Sequence, residues 1–215
     1  MRLGVGARWA ALAAVLLVAA CHDSHDRPVS SAASAVPSPP RPPAGSGPGL
    51  IVPGPGSDGR YVTINSGVTA QEALWHVRSA LNVAALSCRA RPGGAALIKH
   101  YNALLVHRKA VLVQAYGAET GRFATAGRGA IDAHMTRLYN FFAQPSAQPG
   151  FCAAAADVAD HVDAVPPAEL PQYATGALDR LEAPILDYYR AYDVYRRELA
   201  AWNARIQGKS VDRRR

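Results

Sequence analysis

The sequence has few cysteines, few aromatic residues and one long hydrophobic run. Of its 215 residues, three are Cys, 7% are aromatic and 18% are charged, whereas 49% are hydrophobic. A chain with this hydrophobic content is neither wholly disordered nor fibrous. The apolar run lies within the first twenty residues, which excludes a protein that crosses a membrane several times. The composition therefore predicts at most one core domain, and it names no reaction.

The apolar run has the features of an export signal. Arg2 and Arg8 precede a twelve-residue apolar stretch, residues 9–20, and Cys21 follows it. Twelve helical residues rise about 18 Å, well short of the roughly 30 Å hydrocarbon core of a bilayer. We therefore expect residues 1–20 to be a cleaved secretory signal peptide.

The segment Val18-Ala19-Ala20-Cys21 resembles the lipobox of bacterial lipoproteins. In that family the cysteine is lipidated and becomes the first mature residue, so the resemblance implies a lipid anchor on Cys21. The next residue is His22 rather than Asp, which by the family's sorting rule implies the periplasmic face of the outer membrane. The alternative is an ordinary cleaved signal in which the cysteine lies at this position by chance.

Cys88 and Cys152 are the two cysteines that remain after Cys21. An exported chain enters an oxidising compartment, so we expect a disulfide between them. With 63 residues between its ends, this bond would stabilise the fold by about 4 kcal/mol on the chain-entropy argument. Two buried free thiols are the alternative. A catalytic pair is disfavoured because the chain has no Cys-x-x-Cys arrangement.

Residues 21–58 are predicted to be a lipid-anchored linker rich in Pro, Ser and Gly. Nine of the sixteen prolines lie between residues 22 and 58. The run Ser38-Pro39-Pro40-Arg41-Pro42-Pro43 favours polyproline II, which rises about 3.1 Å per residue and buries no core. We expect a disordered tether that holds the domain away from the bilayer. A ligand for a proline-recognition module is the alternative.

Residues 59–204 are predicted to form an all-α domain, a compact bundle of four to six helices. The segment Thr69-Ala70-Gln71-Glu72 is a capping box, which predicts the start of a first helix that ends at Cys88. A second helix is expected over about residues 95–116. Because this helix is apolar on more than one face, it is the candidate for the centre of the bundle.

Apolar residues at helical spacing predict three further helices, over residues 131–142, 151–165 and 178–202. The disulfide would then join the end of the first helix to the start of the fourth. Pro184 lies inside the last helix and is expected to kink it or to begin a new one. Residues 205–215 are predicted to be a basic tail.

The charge is unevenly distributed along the chain. Residues 60–137 carry ten basic and three acidic side chains (+7), and residues 138–203 carry four basic and nine acidic ones (−5). We expect these halves to complement each other inside the domain. The tail, with a charge of +4, could contact anionic lipid or polymer. A nucleic-acid partner is not expected, because an exported domain meets little nucleic acid.

The best metal candidates by spacing are Asp157, Asp160 and His161, which can share one helical face. Zinc sites need three or four ligands, and no second cluster of His or Cys with matching spacing supports this group. A solvated helix face is the alternative, and the sequence predicts no cofactor.

Catalytic motifs are missing from the sequence, which has no nucleophile elbow, metalloprotease helix or Ser-x-x-Lys. Glu119 remains as the candidate for a muramidase-like acid, since Glu72 is used in the capping box. Glu119 lies in a glycine-rich stretch with Arg122 and Arg128, which could bind an anion near the start of the third helix. An ordinary flexible linker is the alternative.

Residues 73–88 resemble a segment of small uncharacterised helical envelope proteins of alphaproteobacteria. The resemblance implies the same compartment and an all-helical domain, and it carries over no catalytic residue. Trp75, His76 and Arg78 are expected on the solvent side of this first helix, where they form a candidate recognition cluster.

Together these observations predict a non-enzymatic periplasmic lipoprotein that acts as a binding or scaffolding module in the cell envelope. Its partner would be the membrane, through the lipid anchor, together with an envelope protein or an anionic polymer. A cell-wall-active, muramidase-like enzyme is the alternative function, and a metal-binding module is the third.

Overall fold

A computed structural model describes residues 38–47 and 52–212 of the chain. Within these residues it contains six helices: α1 Ala70–Ser87, α2 Gly94–His107, α3 Lys109–Gly121, α4 Ala130–Phe142, α5 Gln148–Val162 and α6 Leu170–Asp212. The predicted all-α bundle is confirmed. The predicted signal peptide, Cys21 and most of the linker lie outside the described residues. None of the helices in the described ranges is both long enough and apolar enough to span a bilayer.

Helix α1 lies at the centre of the bundle and packs against all five other helices. Its predicted capping box is present: the Glu72 amide donates to Thr69 Oγ1, and the Thr69 amide donates to Glu72 Oε2 at 2.6 Å. Small buried residues on α1, such as Ser79 and Ala80, let the neighbouring helices approach closely. The expectation that the second helix is central is therefore wrong.

The predicted second helix is two helices, α2 and α3. They meet at Arg108, whose backbone (φ −117°, ψ 20°) interrupts the helix. Its Nη2 atom donates to the backbone oxygens of Asp163 and Val165, at 2.9 and 3.1 Å, just beyond the end of α5. A long-range contact thus accompanies the break, which has no glycine or proline to mark it in the sequence.

A disulfide joins Cys88 and Cys152, whose Cα atoms are 5.6 Å apart. Cys88 caps the C-terminus of α1, and Cys152 lies near the start of α5. Both side chains are buried in the hydrophobic core. The bond therefore ties the end of α1 to the start of α5, which correspond to the predicted first and fourth helices.

Helix α6 continues through Pro184, so no new helix begins there. A Cβ atom on Gly150 of α5 would lie 2.9 Å from Cβ of Pro184, so glycine allows α5 to approach the proline ring. The helix begins at Leu170, before the periodic row of residues 178–202. It ends at Asp212, so residues 205–212 of the predicted tail continue the helix.

Part of the Pro-rich linker, residues 38–47, lies against the helical domain. Ser46 Oγ and the Tyr188 hydroxyl of α6 are 2.6 Å apart. Gly45 has φ +82°, and a Cβ there would lie 2.7 Å from Cα of Ser146. This segment therefore differs from the extended spacer that its composition predicts.

The expected complementarity between the basic and acidic halves is small. Among the described residues, the contacts of a basic side chain with a carboxylate of the other half are those of His100, with Asp160 at 3.5 Å and Asp163 at 3.2 Å. The remaining pairs of Arg with a carboxylate lie within one half: Arg122 with Glu72, Arg180 with Asp157, Arg190 with Asp187 and Arg196 with Asp193.

Replacing both Cys88 and Cys152 with Ala is expected to lower the free energy of unfolding by about 2–5 kcal/mol, because the long loop is no longer closed in the unfolded chain. Urea unfolding followed by circular dichroism measures the change. Reduction of the wild-type protein is the control that keeps both sulfur atoms. Equal unfolding midpoints for the oxidised and reduced proteins would contradict a stabilising role for the bond.

Candidate metal centre

Three buried side chains from three helices converge in the core: His76 of α1, Glu119 of α3 and His134 of α4. His76 and Glu119 are 0% exposed and His134 is 4% exposed. His76 Nε2 lies 3.1 Å from Glu119 Oε1, and His134 Nε2 contacts the same oxygen. The nitrogen and oxygen atoms that these residues offer lie within 4.8 Å of one another, and no other such group of three occurs in residues 38–47 and 52–212.

Glu119 and His134 lie on the buried stripes of their helices. On α3 the buried residues Leu112, Ala115 and Glu119 recur at spacings of three and four. On α4 the buried residues are His134, Leu138 and Phe142, at spacings of four. Each polar residue therefore occupies a position that packing would normally give to an apolar side chain. This is the arrangement of a built site rather than of a surface cluster.

Asn65 determines which nitrogen of His76 carries a proton. The Asn65 amide nitrogen donates to Glu182 Oε1 of α6 at 3.1 Å, which places Asn65 Oδ1 at 2.7 Å from His76 Nδ1. A carbonyl oxygen only accepts, so Nδ1 is the donor. The Thr63 hydroxyl donates to the same oxygen of Glu182 and supports this arrangement. In the neutral ring the lone pair is then on Nε2, directed at Glu119.

The environment favours an ionised Glu119 beside a neutral His134. Burial by itself raises the pKa of the Glu119 carboxyl, but the hydrogen bond and the charge of His76, together with His134, outweigh it and hold this pKa below its usual value. Burial lowers the pKa of His134, against the opposing effect of the Glu119 carboxylate. A carboxylate and a neutral imidazole are the forms that coordinate metal ions.

These three side chains form the ligand set of a known class of metal site. Two imidazole nitrogens and one carboxylate, with a further position for water or ligand, hold zinc in many enzymes. Ligating histidines usually donate their second ring N–H to a fixed acceptor, which Asn65 provides for His76. Glu119 Oε2 is buried and has no hydrogen-bond partner among the described residues, so one carboxylate oxygen remains for an ion.

A groove of about 920 Å³ opens beside His134. The Phe123 ring packs against His134 with 4.6 Å between the ring centroids. The groove is lined by residues from the segment before α1, from the end of α3, from α4 and the loop after it, and from α6: Thr63, Ile64, Ser66, Arg122, His134, Arg137, Asn140, Phe141, Gln144 and Tyr189.

Glu119 and the two arginines predicted with it are not brought together. Glu119 lies inside helix α3 and is buried, so its placement in a glycine-rich connection is wrong. Arg122 lies at the C-terminal end of α3, where its Nε is 3.4 Å from Glu72 Oε1, and it lines the groove. Arg128 is exposed on the turn before α4 and does not line the groove. The predicted anion-binding pair therefore does not share one site.

The spacing-based metal candidates Asp157, Asp160 and His161 are exposed on α5. His161 Nδ1 lies 2.7 Å from the backbone oxygen of Asp157. The Asp157 carboxylate meets Arg180 of α6 at 3.7 Å, whereas Asp160 meets His100 of α2 at 3.5 Å. The two carboxylates contact different neighbouring helices, and the structure does not bring the three candidates into one ligand set.

Two of the three residues in the centre, His76 and His134, are not identified as metal-ligand candidates by the sequence. His76 was expected on the solvent side of the first helix, and this is wrong because its side chain is fully buried. His134 has no motif around it. The signal in the sequence is its spacing of four residues from Leu138, which places a histidine in line with an apolar stripe.

Comparison of the chain with family models, with curated proteins and with solved structures gives no match.

Replacing Asn65 with Ala is expected to lower the free energy of unfolding by about 1–3 kcal/mol, because the buried His76 Nδ1–H loses its acceptor. Asn102→Ala, on the exposed side of α2, is the matched control and is expected to change it by less than about 0.5 kcal/mol. Urea unfolding of the two variants measures the difference. Equal free energies of unfolding for Asn65→Ala and Asn102→Ala would show that Asn65 does not hold the His76 imidazole in place.

Proposed function

We propose that this domain binds a divalent transition-metal ion, with zinc as the reference ion, through His76 Nε2, His134 Nε2 and the Glu119 carboxylate. The observation that carries the proposal is the hydrogen bond from His76 Nδ1 to Asn65 Oδ1 at 2.7 Å. It leaves the lone pair of a neutral His76 directed at a carboxylate oxygen 3.1 Å away. Two acceptors at that separation repel each other unless a proton or a metal ion lies between them.

The alternative is a proton between His76 Nε2 and the Glu119 carboxylate. A proton explains fewer of the contacts among the three side chains than a metal ion does. A proton on His76 Nε2 gives an ion pair with Glu119 Oε1. It leaves the buried Nε2 atom of His134 without a hydrogen bond, and this costs stability. A metal ion among the three side chains gives both imidazoles and the carboxylate a common partner, and it compensates the buried negative charge.

The muramidase-like alternative gains little from the position of Glu119. A glycosidase acid must hold a proton near neutral pH and contact the sugar. Glu119 is fully buried, and the pKa of its carboxyl is held low by the hydrogen bond and charge of His76 and by His134, despite the opposing effect of burial. Both features favour a ligand over an acid.

Zinc is expected to stabilise the metal-free domain, by about 2.7 kcal/mol at a hundredfold excess over its dissociation constant. Thermal unfolding of EDTA-treated protein with and without zinc measures this. The variants Glu119→Gln and His134→Ala are expected to abolish the shift. Asn65→Ala is expected to weaken zinc binding by about 10–100-fold.

Two matched controls separate this centre from the exposed residues. His107→Ala, exposed at the end of α2, is expected to keep the full zinc shift. The double variant Asp160→Ala with His161→Ala tests the spacing-based candidates on α5 and is expected to keep it as well. An absent zinc shift in the wild-type protein, or a shift that only the α5 variant removes, would overturn the proposal.

We further propose that this domain is a binding module held at the periplasmic face of the outer membrane by a lipid on Cys21. The lipobox resemblance of residues 18–21 supports it, and the disulfide between Cys88 and Cys152 suits an oxidising compartment. A lipid anchor restricts the metal-binding domain to the membrane surface.

The expected N-terminal peptide of the protein purified from membranes begins at Cys21 with an acyl-modified sulfur, which mass spectrometry detects. Cys21→Ser is expected to move the protein from the membrane fraction to the soluble fraction. An unmodified chain in the cytosol, with both other cysteines reduced, would contradict the assignment.

A further inference from the structure

The groove beside His134 has a positively charged lining. Two arginines, Arg122 and Arg137, are among its ten lining residues, and no Asp or Glu is. Arg137 has no carboxylate partner in the part of the chain that the structure describes, and Arg122 has Glu72 at 3.4 Å. Glu72 Oε2 accepts from the Thr69 amide at 2.6 Å, but this neutral donor leaves the charge of the carboxylate in place, so Arg122 is paired and Arg137 is the arginine without a carboxylate partner. The groove therefore offers a negatively charged molecule one guanidinium without a carboxylate partner, that of Arg137, together with the remaining N–H donors of Arg122.

The remaining lining is suited to the body of an organic molecule. Ile64, Phe141 and Tyr189 provide apolar surface. The Gln144 amide donates to the Tyr189 hydroxyl at 3.0 Å and to the backbone oxygen of Phe141 at 2.8 Å, which fixes this wall. A volume of about 920 Å³ is within the range of small-molecule sites and exceeds the needs of an inorganic ion.

We propose that this groove binds a small organic anion, a molecule with an apolar body and one carboxylate or phosphate group, and that Arg137 and Arg122 hold the anionic group. Arginine suits this role because its planar guanidinium pairs with either oxyanion through two parallel hydrogen bonds.

Anion binding in the groove is coupled to zinc binding at the metal centre. This part of the inference rests on the proposed function. His134 belongs to both places, since it contacts Glu119 and also lines the groove. The metal-free centre carries a charge of −1 with both imidazoles neutral, or 0 with His76 protonated, and a divalent ion on the carboxylate and two neutral imidazoles changes it to +1. Zinc therefore strengthens binding of the anion, and by thermodynamic reciprocity the anion strengthens binding of zinc.

Calorimetric titration of the metal-free protein tests the groove alone. The probes are 1-naphthoate and 1-naphthyl phosphate, with neutral 1-naphthol for comparison; the first two distinguish a carboxylate from a phosphate ligand. At least one anion is expected to bind at least tenfold more tightly than the naphthol. Arg137→Gln is expected to weaken that anion about tenfold, and Arg128→Gln, outside the groove, to leave it unchanged. Equal binding of all three probes, or equal effects of the two arginine variants, would overturn the proposal.

The same titration with zinc-saturated protein tests the coupling. Zinc is expected to tighten the anion about fivefold or more in the wild-type protein, and Glu119→Gln is expected to remove this difference between zinc-saturated and metal-free protein. An unchanged anion affinity in protein that thermal unfolding shows to be zinc-bound would overturn the coupling. A failure of zinc to bind at all would overturn the proposed function, whereas the titration of the metal-free protein decides the groove independently.

Discussion

The core of this domain depends on how the negative charge of one buried carboxylate, that of Glu119, is balanced. An ionised carboxylate in an apolar core is expensive unless hydrogen bonds or opposite charge offset the loss of water. Glu119 is fully buried, and its offset comes from His76 and His134 on two other helices. The packing of α1, α3 and α4 against one another is therefore linked to the ionisation of the Glu119 carboxyl.

The surrounding contacts hold these three helices in place. Glu72 begins α1 through the capping box and also pairs with Arg122 at the end of α3, so one side chain joins two helix ends. Asn65 connects His76 to Glu182 of α6, and the disulfide ties the end of α1 to α5. The central helix is thus fixed at both ends. A frame fixed in this way would set the geometry of the three candidate ligands before an ion binds, as the proposed metal centre requires.

The features that could be predicted from the sequence depend on local chemistry or on simple pairing. The capping box at Thr69 is a pattern of four residues, and two cysteines left after Cys21 have one possible pairing. The break at Arg108 could not be predicted, because it is accompanied by contacts to Asp163 and Val165, more than fifty residues away. His134 was missed for a related reason: a single polar residue in line with an apolar stripe acquires meaning only when its partners from other helices are known.

X-ray absorption at the zinc edge of the zinc-loaded protein is the most direct test of the proposed metal centre, because it reports the ligand atoms around the ion. An ion held by His76, His134 and Glu119 is expected to give scattering from two imidazole rings together with oxygen neighbours, and one ring is expected to be lost in His134→Ala. A spectrum of oxygen ligands alone, or one unchanged by that substitution, would contradict the proposed metal centre.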